Sequence, residues 1–233
     1  MIPFRDNIPS RRYPLVTVAI IMANVAAFFY ELSLGSDTID SFIQLNGVIP
    51  AKLELALRAP IAVFSDTGRT MLWSMFLHGG WFHLIGNMWY LWIFGDNVED
   101  RMGHFRFLGF YLLCGFIASA VHIAFNLDSR IPSIGASGAV AGVLGAYMIS
   151  YPFARVLTLV PLFLIWPVLE LPALFVLGFW FLVQFLNGAA SLTAASQTAG
   201  GVAWWAHIGG FVAGILLLSF FAKPQNRRYS WKG

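Results

Sequence analysis

Charge is scarce in this chain: Asp, Glu, Lys and Arg make up 11% of its 233 residues, against 58% apolar and 16% aromatic. A soluble domain of this length needs far more polar surface to stay dissolved. The composition therefore excludes an ordinary globular enzyme and leaves a protein that crosses a membrane several times. Cysteine is nearly absent. The single Cys114 sits in an apolar run, can form no internal disulfide and says nothing about redox compartment. There is no internal repeat, no separate soluble domain and no linker. A net charge of +3 does not point to nucleic acid, and no nucleic-acid partner is expected. What informs is where the cations fall.

A membrane-spanning helix needs roughly 20 apolar residues. Six stretches qualify as candidates: 13–34, 71–95, 105–125, 135–151, 171–187 and 204–222. The first follows Arg5, Arg11 and Arg12 like the start of a secretory signal, but it is longer than a signal core of about 7–15 residues. It also lacks a convincing small-residue cleavage site, so a retained span is expected. The stretch 156–170 is apolar but interrupted by Pro161 and Pro167, which remove backbone donors and kink helices. It reads as an interfacial or re-entrant piece. The expected fold is thus an all-α polytopic membrane protein, a six-helix bundle over 13–222. A short N-terminal segment (1–12) and a basic tail (223–233) flank it.

Cations orient the bundle. With the N-terminus in the cytoplasm, inner segments hold Arg5, Arg11, Arg12, Arg101, Arg106, Arg155, Lys223, Arg227, Arg228 and Lys232. Only Lys52, Arg58, Arg69 and Arg130 lie outside, the asymmetry expected of inner and outer loops. An extra span after Tyr151 would reverse the tail. A multi-pass protein of a prokaryotic inner membrane with both termini cytoplasmic is therefore expected. Outer loop 35–70 should form short helices partly sunk in the interface, and 188–203 a small-residue outer cap.

Against this apolar background three segments carry reactive groups: HGGWFHLIGN at 78–87, GASG at 135–138 and AHIGGFVAG at 206–214. Ionisable groups inside membrane segments are functional candidates, because burying them unsatisfied is costly. The expected helix directions bring all three to the same outer half of the membrane. A serine hydroxyl is a weak nucleophile that needs a base within hydrogen-bond reach. His207 is the natural base for Ser137. A helix start at Ser137 offers free backbone N–H groups to a developing oxyanion. His83 and Asn87 are four residues apart, so they share a helix face and can add donors there. Gly210 and Gly214 form a small-residue stripe that lets membrane helices approach closely. The 138–145 segment offers the matching face, which would present Ser137 to His207.

These motifs resemble the rhomboid family of intramembrane serine proteases: HxxxN at His83 and Asn87, GxSG around Ser137, and AHxxGxxxG from Ala206 to Gly214. The resemblance covers the second to the sixth expected helix. It implies a Ser137–His207 dyad without an acidic third member, and His83 and Asn87 as stabilisers of the tetrahedral intermediate. It further implies a six-helix fold with a water-filled outward cavity and a mobile fifth helix. Substrates would be single-span membrane proteins cut near the outer membrane boundary. The stretch 95–103 is similar to the family's loop after its second helix and reads as structural. Two departures stand out. Many members carry a Trp-Arg pair in the first outer loop where this chain has Arg69 and Trp73 apart. Some place an aromatic residue one turn after the serine, where this chain has Ala141.

The expected activity is an intramembrane serine endopeptidase, a monomer whose partners are transmembrane substrates and the lipid bilayer, with no cofactor and no metal. Two other classes compete: an inactive rhomboid-like factor that binds membrane proteins, and a small-solute transporter. A metal site on His78, His83 and His207 would lack an HExxH pattern and a carboxylate at their depth. A transporter should show inverted repeats. His78, His104 and His122 read as structural. Asn24, Glu31 and Gln184 have no nameable partner, Glu170 can reach the interface, and Trp204 and Trp205 read as packing.

Overall fold

The structure of the protein, a computed structural model, describes residues 1–52, 60–162, 164–192 and 202–223. In chain order the elements are β1 (Ile2–Asp6), α1 (Leu15–Ser33), α2 (Ser36–Asn46), α3 (Pro60–Ser74), α4 (Trp81–Met102), α5 (His104–Ala124) and α6 (Ser137–Ser150). They continue as β2 (Arg155–Leu159), β3 (Val168–Pro172), α7 (Ala173–Ser191) and α8 (Trp204–Phe221). The protein is a polytopic helical bundle. Among the described residues α1, α5, α7 and α8 are long and apolar enough to cross a membrane. Helix α6 is equally apolar but 14 residues long. Helix α4 has 22 residues, with Asp96, Glu99, Asp100 and Arg101 crowded into its last two turns.

The bundle is held at its centre by α6 and α8, whose backbones touch. A Cβ on Gly210 would overlap the carbonyl oxygen of Gly138, and one on Gly214 the carbonyl oxygen of Gly142. On its other side Gly142 leaves room for the Cys114 side chain of α5, since a Cβ there would lie 2.5 Å from the Cys114 Cβ. Every residue of α6 from Gly138 to Tyr147 is buried. The seam expected from the glycine spacing is therefore present, and it joins helices with no ionic contribution.

The second expected span is displaced. Instead of one helix over 71–95, α3 ends at Ser74 and the chain turns before α4 begins at Trp81. Gly80 has a φ of +152°, a conformation that favours glycine and breaks helical continuity. His78 consequently lies in the turn and not on the helix. Glu31 of α1 secures that turn by accepting the His78 backbone N–H on both carboxylate oxygens, at 3.2 Å each. The lone carboxylate in an apolar helix thus has a partner, as burial demands.

Residues 95–103, expected as a loop, are helical as far as Met102. Within them Glu99 is 1% exposed. It accepts the backbone N–H groups of Val16 at 2.9 Å and Thr17 at 2.7 Å, and the Thr17 hydroxyl at 2.7 Å. The Nδ1 of His104 lies 2.5 Å from it. A carboxylate here satisfies orphan donors in the first turn of α1 and complements that helix's positive end. His104 is structural, as expected.

The segment 156–170, expected as an interfacial or re-entrant piece, is built on two strands. It forms the β2–β3 hairpin, and β1 pairs antiparallel with β2, giving a three-stranded sheet in the order β1-β2-β3. The expected N-terminal tail thus contains a strand. Apolar residues occupy both faces of β2, which conceals the two-residue period that marks a strand. Asp6 ties the sheet to the bundle: its carboxylate accepts from Asn97 Nδ2 at 3.1 Å and from the Tyr147 hydroxyl. Burial raises its pKa above the usual carboxylate range, and the Tyr147 hydrogen bond offsets this in part.

In the stretch 35–70, α2 and α3 are short helices as expected. Arg69 of α3 binds Asn46 Oδ1 at 2.9 Å and Leu45 O at 3.2 Å, joining the two helices. The apolar patch at 53–57 lies outside the described residues, as do 193–201 of the expected cap and 224–233 of the tail. Helix α7 runs on through Ser191, so the cap begins later than expected.

Replacing Gly214 by Ala should separate α6 and α8 and destabilise the bundle by about 1–3 kcal/mol, the usual cost of overpacking. Thermal unfolding in detergent reads this directly. An unchanged midpoint would remove the backbone seam as the organising contact.

Candidate active site

Helix α6 starts at Ser137 because the preceding chain cannot continue a helix. Gly135 has a φ of +125°, and its backbone N–H donates to Ser74 O at 2.8 Å, pinning the turn to the end of α3. Ser137 therefore occupies the first helical position, where backbone N–H groups have no intrahelical acceptor. Helix α8 carries His207 in its first turn, and the glycine seam one turn later presses it against α6. The His207 Nε2 lies 2.8 Å from Ser137 Oγ.

The other ring nitrogen is also engaged. His207 Nδ1 lies 2.7 Å from Gln184 Oε1 of α7, and both residues are buried. An amide oxygen can only accept, so Nδ1 carries the proton and Nε2 is left to accept from the serine hydroxyl. Gln184 selects the tautomer a general base requires. Aromatic support comes from α7 and α8: Trp180 lies 5.8 Å from the imidazole at 36°, and Trp204 lies 6.3 Å away edge-on at 87°. Ala141 is fully buried within α6. Trp180 supplies from another helix the ring that this position lacks.

Gln184 was legible only as a lone amide in an apolar run. Trp180 and Gln184 are four residues apart and share a helix face; that spacing was the available signal, but nothing in the sequence said what the face would meet.

His83 and Asn87 project from α4 toward the same place. His83 Nδ1 accepts the Gly79 N–H at 3.3 Å, which in the neutral ring leaves the proton on Nε2. A Cβ built on Gly135 would sit 2.6 Å from that Nε2 and 3.7 Å from Ser137 Oγ. The donor thus lies over Gly135, beside the serine. Asn87 Nδ2 is buried with no acceptor among the described residues. His78 is 2% exposed and packs edge-on against His83 with ring centroids 5.0 Å apart, a positioning role in line with its structural expectation.

All four expected residues, Ser137, His207, His83 and Asn87, line one cavity of about 1180 Å³. Its walls come from α4, α5, α6, α7, α8 and the 126–134 loop, with Tyr90 and Leu144 among its lining residues. His122 lines it too, its carbonyl accepting Asn126 Nδ2 at 2.8 Å. The volume exceeds most small-molecule pockets, which run to about 1,000 Å³, and suits a length of polypeptide. Among the described residues no three His, Cys, Asp or Glu side chains are grouped to hold a metal ion. Both nitrogens of His207 are engaged, and one nitrogen each of His78 and His83 is held by the backbone.

Comparison with known proteins shows the family. The Rhomboid domain profile matches residues 66–224. The chain belongs to the rhomboid family. It is 31% identical over 206 residues to the mitochondrial presenilin-associated rhomboid-like protein of Mus musculus, covering 82% of this chain and 50% of that one. It is 30% identical over 164 residues to the mitochondrial rhomboid protein 1 of Saccharomyces cerevisiae, covering 68% and 43%. RHOMBOID-like protein 4 of Arabidopsis thaliana is 30% identical over 224 residues, covering 88% and 52%. This rhomboid spans about half or less of the length of these relatives. The matched region contains every residue of the cavity wall named above.

Substituting Gly135 by Ala should be poorly tolerated twice over. It forces a side chain into a left-handed conformation, at about 1–3 kcal/mol, and drives its Cβ against His83. A fall in thermal midpoint together with a shifted His83 imidazole resonance is expected. A native midpoint would show that the turn has another basis.

Proposed function

We propose that this rhomboid is an intramembrane serine endopeptidase that cuts single-span membrane proteins near the outer membrane boundary. The observation that carries it is the 2.8 Å contact between Ser137 Oγ and the Nε2 of a histidine whose Nδ1 is held by Gln184. In this reaction Ser137 attacks the scissile carbonyl carbon while its proton passes to His207 Nε2. The carbonyl π electrons move onto oxygen, which faces His83 Nε2–H, Asn87 Nδ2–H and the Ser137 backbone N–H. Collapse of the tetrahedral species expels the amine, which takes the proton from His207. Water then attacks the acyl-serine with His207 again as base, releasing the new carboxyl terminus and restoring the hydroxyl.

An unpartnered buried donor supports the oxyanion role of Asn87. A buried donor left unsatisfied costs about 1–3 kcal/mol, and the oxyanion would remove that deficit only in the transition state. This is the differential stabilisation that accelerates a reaction.

The proposed membrane arrangement is six crossings, α1 and α4 to α8, with both termini on the cation-rich side. In a prokaryotic inner membrane that side is the cytoplasm. The cation distribution supports this orientation; the mitochondrial location of several relatives belongs to those proteins. The proposal takes the protein to act as a monomer.

A fluorophosphonate probe should label the detergent-solubilised wild type and neither Ser137→Ala nor His207→Ala. Absence of labelling in folded wild type, with a generic transmembrane reporter left uncut, would favour the inactive membrane-protein-binding alternative. Asn87→Ala should lower turnover by about 100- to 1,000-fold, as for loss of one oxyanion donor, with an unchanged unfolding midpoint. Gln184→Leu should reduce kcat more than KM, by about 10- to 100-fold, as part of what positioned proton transfer contributes. Wild-type turnover in either variant would sink the role given to that residue.

A further inference from the structure

We infer that the tip of the β2–β3 hairpin is immersed in the hydrocarbon of the inner leaflet, making the sheet a re-entrant membrane element docked on lipid acyl chains. Its depth is set by bonds to α4. Asp6, at one end of β1, accepts from Asn97, and Pro3 near the other end accepts the Trp89 indole N–H at 2.6 Å. Trp89 and Asn97 are two turns apart, about 12 Å along the helix axis. The strand therefore climbs α4 away from its charged end toward the middle of the bundle.

The register carries β2 and β3 the same way. Ile2, Leu159 and Val168 lie in one row, and Arg5, Leu157 and Glu170 in another nearer the charged end. Between Arg155 and Glu170 the sequence has no charged residue. From the Glu170 row to Ile165 a strand reaches up to about 16 Å at 3.3 Å per residue, which is about one leaflet of a 30 Å core. The tip is apolar and uncovered: Leu164 is 95% exposed, Ile165 66% and Trp166 59%. Trp89 and Trp92 of α4, the helix on which the sheet docks, and Phe175 of α7 are exposed as well.

Hydrocarbon does not tolerate unpaired backbone groups or open strand edges. The hairpin meets that constraint along its β2–β3 ladder, while the outer edge of β3 has no strand beside it among the described residues. Val160 N–H donates to Pro167 O at 2.9 Å, and Leu162 and Ile165 exchange N–H···O bonds at 3.0 and 2.9 Å. Pro3, Pro161 and Pro167 have no N–H to leave unpaired, which is how proline is accommodated at strand edges. In water an exposed Leu-Ile-Trp tip would have no such rationale. This inference is independent of the proteolytic assignment.

The test is depth measurement by nitroxide labelling of Leu164→Cys, with Arg12→Cys as the water-side reference, in phosphatidylcholine–phosphatidylglycerol vesicles. Cys114 is buried and can remain. Collisions with oxygen relative to a nickel chelate should be at least several-fold higher at position 164 than at position 12. Equal ratios would overturn immersion. Should the labelled variant fail to fold, the native chain decides through bromolipid quenching of tryptophan emission, compared with Trp166→Phe. Extra quenching in the native chain is expected from an immersed Trp166, and identical quenching overturns the inference.

Discussion

Direct backbone contact between α6 and α8 is the constraint on which the rest of the molecule depends. Lipid supplies no hydrophobic drive for helices to associate, so close packing must do it. Gly210 and Gly214 on one side and Gly138 and Gly142 on the other remove every side chain that would hold the axes apart. The same contact sets the chemistry. Ser137 directly precedes the seam glycine Gly138 and His207 lies one turn before Gly210, so a wider spacing, by even one methyl group, would break a 2.8 Å hydrogen bond.

Around that rigid pair the protein satisfies its few buried charges locally. Glu99 takes up the first-turn donors of α1, and Glu31 secures the turn that carries His78. Both are buried carboxylates that accept backbone N–H groups, an arrangement that offsets desolvation, and Glu99 also faces His104 Nδ1. Through His78 and Gly79, the Glu31-held turn reaches His83. The orientation of a group beside the serine is thus built from a carboxylate on the first helix. Gln184 does the equivalent work for His207 from α7. The two polar groups on either side of the serine are held by different helices, α1 and α7, neither of which carries one of the four candidate site residues.

Much of this was legible in the chain itself. The apolar runs, their approximate ends and the glycine stripe follow from composition and spacing, because lipid restricts what a spanning segment can be. The motifs around Ser137, His207, His83 and Asn87 stood out for the same reason: a polar residue in an apolar run is conspicuous. The break at Gly79–Gly80 and the strands β1 to β3 were not. Both are apolar segments whose neighbours, not their own periodicity, decide between helix, turn and strand. Strand β1 in particular exists only because β2, some 150 residues later, pairs with it.

The sequence alone determined that this is a multi-pass membrane protein and which residues are the candidates for its chemistry, since the cost of burying polar groups in lipid makes each one informative wherever it stands. Tertiary structure decided which partner each of them has. Glu31 and Gln184 are solitary in the sequence, and their bonds to His78 and His207 join residues 47 and 23 positions apart on different elements. Local propensity carries no record of such distances. Only the packing of α7 against α8 turns an isolated amide into the group that sets which nitrogen of His207 is free to accept a proton.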